Sequence, residues 1–188
     1  QVIQAPSGRK YHLGNSLNDL SGAEWTFFTN SVINSRYPTA GPESFAHHIR
    51  KIHPSPKPPQ LMRDIIKFFT KENELVFDYF MGVGGTLLGA SLSNRRAIGV
   101  DLSARYIEAY QQASNELGLP CQKTVEADSL RLVSDPLAMK ELLEGDEISL
   151  IAIDPPYGDM MNRTKTGEAA KKKLDTSPTP FTNSEADL

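Results

Sequence analysis

The run Val76-Phe77-Asp78-Tyr79-Phe80-Met81-Gly82-Val83-Gly84-Gly85-Thr86 decides the fold of this chain. Leu75, Val76 and Phe77 form a short apolar block bounded by turn residues, the pattern of a buried strand. Glycines at 82, 84 and 85 then let the backbone turn tightly and approach a ligand closely. Thr86–Leu92 resumes apolar spacing as a helix, whose N-terminus favours negative groups. An acid, Asp101, ends the next predicted strand, Ala97–Val100, about 20 residues on, where a ribose-binding acid is expected in a nucleotide-type site. By itself this strand, glycine turn and helix is also compatible with a turn that only permits packing.

Outward from that run, helix and strand alternate. Leu61, Met62, Ile65, Ile66 and Phe69 recur at helical spacing after Pro58-Pro59. Ser103 is placed to cap a helix carrying Tyr106, Ile107, Tyr110 and Ala113, stopped by Gly118 and Pro120. Cys121–Val125 reads as a third strand leading to Asp128, and Asp135-Pro136 as the start of a helix closed by Gly145. Ile148–Ile153 is the next strand. This order predicts a mostly parallel, doubly wound α/β sheet with right-handed crossovers. About five strands can be counted, including one at Trp25–Ile33, where aromatic and β-branched residues cluster. Arg36–Pro59 reads as a long irregular connection rich in Pro, His and basic residues.

The last strand ends in Asp154-Pro155-Pro156-Tyr157-Gly158. Two prolines cannot continue a central strand or enter a helix, so the chain must turn there. In open α/β sheets ligands bind outside the carboxyl ends of the strands. The turn offers a carboxylate acceptor, a carbonyl and a flat ring, groups suited to holding the exocyclic amine of a planar base.

Composition bounds the rest. The 188 residues suffice for one domain with an accessory segment, and carry 20 basic and 23 acidic side chains for a net charge of −3. Any nucleic-acid contact must therefore use local basic patches. Arg50, Lys51 and Lys57 are read as such a patch facing phosphate, and Lys171–Lys173 as a solvated charged run. No apolar run is long enough to span a membrane, and the first 15 residues lack the apolar core of a secretory signal. The single Cys121 excludes an internal disulfide and fits a reducing cytosol, so a cytoplasmic location is expected. His47, His48 and His53 lack a partner cluster with ligand spacing, so no metal is expected.

Three segments together resemble one family. Asp78–Thr86 resembles the S-adenosylmethionine-binding motif of the amino-methyltransferases that act on DNA, and Asp154-Pro155-Pro156-Tyr157 resembles their catalytic motif. His53-Pro54-Ser55-Pro56-Lys57-Pro58 resembles the His-Pro-x-x-Lys-Pro segment that precedes the cofactor motif in one subgroup. The chain departs from the family at Tyr79, where Pro is usual, at Val83, where Ser is common, and at Gly85, where Thr is common. These departures bear on side-chain hydrogen bonds to the cofactor more than on the backbone cradle.

The resemblance implies a Rossmann-like class I methyltransferase core at residues 53–158, preceded by an accessory segment at 1–52 and followed by a polar, mobile tail at 159–188. It implies S-adenosyl-L-methionine as cofactor. Phe80, Gly82 and Gly84, with Asp78 and Thr86, would line its methionine moiety. Asp101 and Leu102 would hold the ribose, Asp128 and Ser129 would lie near the adenine amine, and Lys57 with Pro58 would close the pocket. Asp154 and the Pro155 carbonyl would accept the two N–H hydrogens of the target amine, Pro156 would stiffen the turn, and Tyr157 would stack on the extruded base.

The chemistry agrees with those roles. An aromatic amine is a poor nucleophile because its lone pair is delocalised into the ring. Two acceptors aimed at its hydrogens favour a pyramidal nitrogen, and positioning supplies much of the rate. A duplex hides the amine, so the base must be flipped out or already single-stranded. Adenine N6 in DNA is favoured, since an Asp opening the motif more often accompanies adenine and a Ser cytosine N4. RNA guanine-N2 methylation is the alternative, because that group also carries Asp-Pro-Pro-Tyr-Gly. Such sheets resemble seven-stranded ones, so the sheet is expected to be incomplete on its C-terminal side, finished by a missing region or a homodimer partner. The isolated chain is then expected to bind cofactor weakly and to methylate poorly.

Overall fold

The structure is a computed structural model that describes residues 2–8, 10–32 and 35–155. Strands β1 (Val2–Gln4) and β2 (Lys10–His12) form an antiparallel hairpin. Helix α1 (Gly22–Phe28) follows, then a short 3-10 turn at Pro42–Ser44 and helix α2 (His47–Arg50). Helix α3 (Pro59–Phe69) leads into β3 (Leu75–Asp78), α4 (Gly85–Ser91), β4 (Arg96–Asp101) and α5 (Ala104–Glu116). The order closes with β5 (Lys123–Glu126), α6 (Ser129–Ser134), α7 (Pro136–Leu143) and β6 (Ile148–Ile151).

The last four strands make a parallel sheet in the order β5-β4-β3-β6. Period-two alternation sends the strand side chains to two cores. Val76 and Ala97 pack with Met62, Ile66, Leu87, Leu88 and Tyr110 from α3, α4 and α5 on one face. Leu75, Phe77, Ile98 and Val100 pack with Leu142 of α7 on the other. This is the doubly wound α/β architecture that the alternating pattern predicts, with the glycine-turn strand at its centre. Residues 1–153 form one compact unit, and a second begins at Asp154.

Several expectations are corrected. Trp25–Phe28 is helical, not a strand. Ser21 and Glu24 form a reciprocal capping box that starts α1, and Trp25 and Phe28 set their rings against Phe68 of α3. Helix start signals and tertiary packing thus override β propensity; Ile33 lies outside the described residues. The Arg36–Pro59 connection contains the 3-10 turn and α2 rather than irregular chain throughout. Among the described residues four strands form the parallel sheet, and β1 and β2 stand apart from it. Ser103 occupies the N-cap position of α5 but makes no side-chain cap. The Asp101 carboxylate accepts the Ser103 N–H instead, at 2.9 Å. The cap at Asp135 forms as expected, accepting from Leu137 and Ala138 N–H. Pro156, Tyr157, the 159–188 tail and Lys171–Lys173 lie outside the described residues.

Candidate cofactor and active site

The carboxyl edge of the parallel sheet gathers most of the residues singled out from the sequence. At the end of β3, Asp78 is buried and its Oδ1 accepts the Phe80 N–H at 3.0 Å, which folds the chain back at once. The Met81 N–H then donates to the Val100 carbonyl, so the turn is laid across the end of β4. Gly82 and Gly84 have φ of 51° and 72°, conformations that a side chain strongly disfavours. A methyl group at Gly84 would overlap the Tyr110 ring of α5. Thr86, in the first turn of α4, is buried at 3% exposure.

Asp101 is the hinge of this edge. Its Oδ2 accepts the Gly82 N–H at 2.8 Å and its Oδ1 the Ser103 N–H, so one carboxylate ties the glycine turn to the loop opening α5. Burial pushes its pKa above the ordinary carboxylate value, while hydrogen bonds from the Ser103, Gly82 and Leu102 amides pull the other way. An ionised carboxylate offers about four acceptor sites, more than these amides occupy. Acceptor capacity remains for a ligand's hydroxyls. Leu102 beside it is exposed.

On β5's side, Asp128 caps α6 by accepting from the Leu130 and Arg131 N–H groups at 3.0 and 3.2 Å. Capping therefore accounts for its position, with Ser129 buried behind it. On the other side, β6 runs parallel beside β3, and the Ala152 N–H still bonds the Phe77 carbonyl at 3.0 Å. Asp154 follows two residues later; Asp154 and Pro155 are exposed.

Two contacts at this edge come from the loop that precedes α3. His53 lays its ring over the turn, 3.3 Å from where a Gly82 Cβ would stand, and meets Tyr106 edge-on at 4.9 Å between centroids. The Lys57 carbonyl approaches to 2.7 Å from the equivalent position on Gly85, so Lys57 reaches the turn through its backbone. Arg50 is a correction. At 1% exposure it cannot face phosphate, and its guanidinium donates to the Phe45 and Lys57 carbonyls. The neighbouring His47 has its pKa lowered by burial and by the Arg50, Lys51 and His48 charges.

A cleft at the opposite, amino edge, between Glu72, Asn94, Arg96 and Cys121, holds none of these groups. Among the described residues no cluster of three His, Cys, Asp or Glu side chains could hold a metal ion. Among them, too, no helix is long and apolar enough to cross a membrane.

The sequence model of the DNA methylase family matches residues 10–112, from β2 through the glycine turn and Asp101 into α5. The chain belongs to the DNA methylase family. Its relatives carry different names. It is 30% identical to the tRNA (guanine(10)-N2)-dimethyltransferase of Methanocaldococcus jannaschii over 159 residues, which is 82% of this chain and 43% of that one. It is 31% identical to the type II methyltransferase M.HinfI of Haemophilus influenzae over 97 residues, 52% of this chain and 27% of that one. It is 35% identical to the orphan methyltransferase M.BamHII of Bacillus amyloliquefaciens over 98 residues, 52% of this chain and 36% of that one. The chain thus spans less than half the length of these relatives.

Proposed function

We propose that this chain is the cofactor-binding and catalytic part of an S-adenosylmethionine-dependent methyltransferase that modifies an exocyclic base amine in DNA, adenine N6 first. The observation that carries the reading is the half-buried Asp101 carboxylate, bonded to the Gly82 amide at the carboxyl edge of the central strands. A nucleoside needs such an acceptor for its ribose hydroxyls. The positive-φ glycines and the close approaches at Gly82, Gly84 and Gly85 form a backbone cradle that fits a cofactor carrying both a nucleoside and an amino-acid group. When bound, that cofactor supplies an electrophilic methyl group on a sulfonium.

In this reading Asp78, Phe80, Gly82, Gly84 and Thr86 enclose the amino-acid end, and Asp101 and Leu102 hold the ribose. Asp128 and Ser129 border the adenine, and Lys57 and Pro58 border the turn from outside. Asp154 and the Pro155 carbonyl accept the amine hydrogens, raising lone-pair density on nitrogen and stabilising its developing positive charge. Tyr157 stacks on the base, and Pro156 limits the turn. The Asp-Pro-Pro-Tyr-Gly run together with the 82% coverage by the M. jannaschii tRNA enzyme supports a second reading, methylation of guanine N2 in RNA.

The test incubates the full chain with methyl-labelled cofactor and, separately, duplex DNA, single-stranded DNA and tRNA, then digests to nucleosides. Label in N6-methyladenine is the expected result. Label confined to 4-methylcytosine would move the target to cytosine, and label in N2-methylguanosine of tRNA would install the second reading. Asp154→Ala is expected to cut transfer by about 100-fold or more while cofactor binding stays within about twofold.

A further inference from the structure

Arg50 is among the most deeply buried large side chains described, at 1% exposure. Among the described residues its hydrogen-bond partners are main-chain carbonyls: Nε donates to Phe45 at 3.1 Å and Nη1 to Lys57 at 2.9 Å. Burial draws its pKa down only to about 10, so it stays charged at neutral pH. Burying a charge is costly unless it is well hydrogen-bonded, and an apolar side chain would fill the same space at lower cost. The guanidinium does what an apolar side chain cannot: it fastens two points of the chain twelve residues apart.

Both points matter. Phe45 and the next residue, Ala46, have φ of 47° and 54°, left-handed conformations unfavourable for non-glycine residues. Such strain persists only where the surroundings over-determine it. At the far end, the Lys57 carbonyl that Arg50 grips is the one pressed against Gly85, the first residue of α4. Between them the chain carries His53, whose ring covers Gly82 and whose backbone N–H bonds the Arg50 carbonyl at 3.2 Å. The loop from Phe45 to Lys57 is therefore a roof over the glycine turn, and Arg50 is the fastening inside it.

We propose that Arg50 is a positioning residue of the cofactor site: without touching the cofactor, it holds the 45–57 loop against Gly82–Gly85 and so preorganises the cradle. This rests on the methyl-transfer reading for the identity of the ligand, and on geometry alone for the fastening. Preorganisation of this kind raises affinity by lowering the ordering cost at binding.

The experiment compares the full chain with Arg50→Met, Arg50→Lys and, as control, Arg95→Lys. Arg95 is also buried, at 3% exposure, but lies at the amino end of β4 and pairs with Asp19. Calorimetric titration with S-adenosylmethionine is done below the melting temperature of every variant, and amide hydrogen exchange is followed at residues 45–57 and 82–86. The expected result is a Kd raised about tenfold or more in Arg50→Met and partly restored in Arg50→Lys. Arg95→Lys should lower Tm with Kd within about twofold of the parent. Exchange at 82–86 should quicken in Arg50→Met and not in Arg95→Lys. A parent-like Kd in Arg50→Met, or equal affinity loss in Arg95→Lys, overturns the proposal. If the parent chain binds no S-adenosylmethionine, the methyl-transfer reading falls. The exchange arm then still decides the fastening: unchanged exchange at 82–86 in Arg50→Met refutes it, and in Arg50→Lys if the Met variant does not fold.

Discussion

Single residues at the carboxyl edge separate conformational demand from chemistry. Gly118 and Gly84 both have positive φ, 62° and 72°, but nothing lies within 4 Å of a Cβ at Gly118, whereas one at Gly84 would strike Tyr110. Gly118→Ala should thus cost only the backbone penalty, about 1 kcal/mol, and Gly84→Ala that penalty plus overpacking, about 3 kcal/mol or more. Urea denaturation of the two variants checks the difference. Asp101 makes the opposite bargain. Burial raises its folded pKa above the unfolded 3.8, so the stability attached to the neutral acid is lost as pH rises through the folded value, and the ionised group destabilises the native state at neutrality. Asp101→Asn should accordingly gain on the parent in Tm between pH 4 and pH 7 while its affinity for S-adenosylmethionine falls about tenfold or more. A variant losing ground in Tm as pH rises would contradict that assignment. The sequence disclosed this site well because its signals are local: glycines next to a strand end, and an acid at the end of the following strand. Arg50 reads differently in the structure because its role depends on where a loop returns, and a basic residue in a polar loop reads as solvated until its burial is known.

At the scale of elements, β3, β4 and α3 to α5 were legible because each combines a clear period with a start or stop residue. Helix α1 was not. Trp25, Phe27 and Phe28 have β propensity, and none of the helix's residues is buried, so no apolar stripe announced it. What makes it a helix is the Ser21–Glu24 box together with Lys67 of α3, whose Nζ lies 2.8 Å from Glu24 Oε1. The β1–β2 hairpin was missed because three-residue strands carry too little pattern. Burial opposes ionisation of Glu24, but the Lys67 and Ser21 hydrogen bonds and the Lys67 charge prevail, and its pKa falls to about 2. A depressed carboxylate contributes stability that is present above the unfolded pKa of 4.5 and is lost as pH falls towards about 2. The pair is partly exposed, so its worth is discounted to about 1 kcal/mol. Glu24→Gln should therefore lower stability by about that amount at pH 7, and the gap should close between pH 4.5 and 2. Denaturant titrations across that range measure it; a gap constant with pH would assign the loss to the cap geometry instead.

The whole molecule divides its labour between the two edges of one sheet. The carboxyl edge is given over to glycines, Asp101 and the loop that Arg50 fastens. The amino edge is given over to anchoring the N-terminal segment. There Asp19 and Arg95, each side chain 1% exposed, pair at 2.7 Å. Arg95 also bonds the Thr70 hydroxyl and the Thr70 and Ser93 carbonyls, while the other Asp19 oxygen accepts the Glu72 N–H. Asn18 joins them by donating to the Phe68 carbonyl, and Leu20 is buried alongside. The link crosses 76 residues of sequence, a connection that no local pattern reveals. Removing one partner leaves the other charge buried and unmatched, whereas removing both leaves an apolar gap. Asp19→Ala should consequently cost about 3–5 kcal/mol, and Asp19→Ala with Arg95→Met clearly less than the sum of the single changes. Because the pair lies at the far edge from Asp101, cofactor affinity measured where each variant is folded should stay within about twofold of the parent. Additive losses in the double variant would show that the two residues act separately. A loss of affinity matching that of Arg50→Met would show that the edges are coupled through the sheet rather than independent.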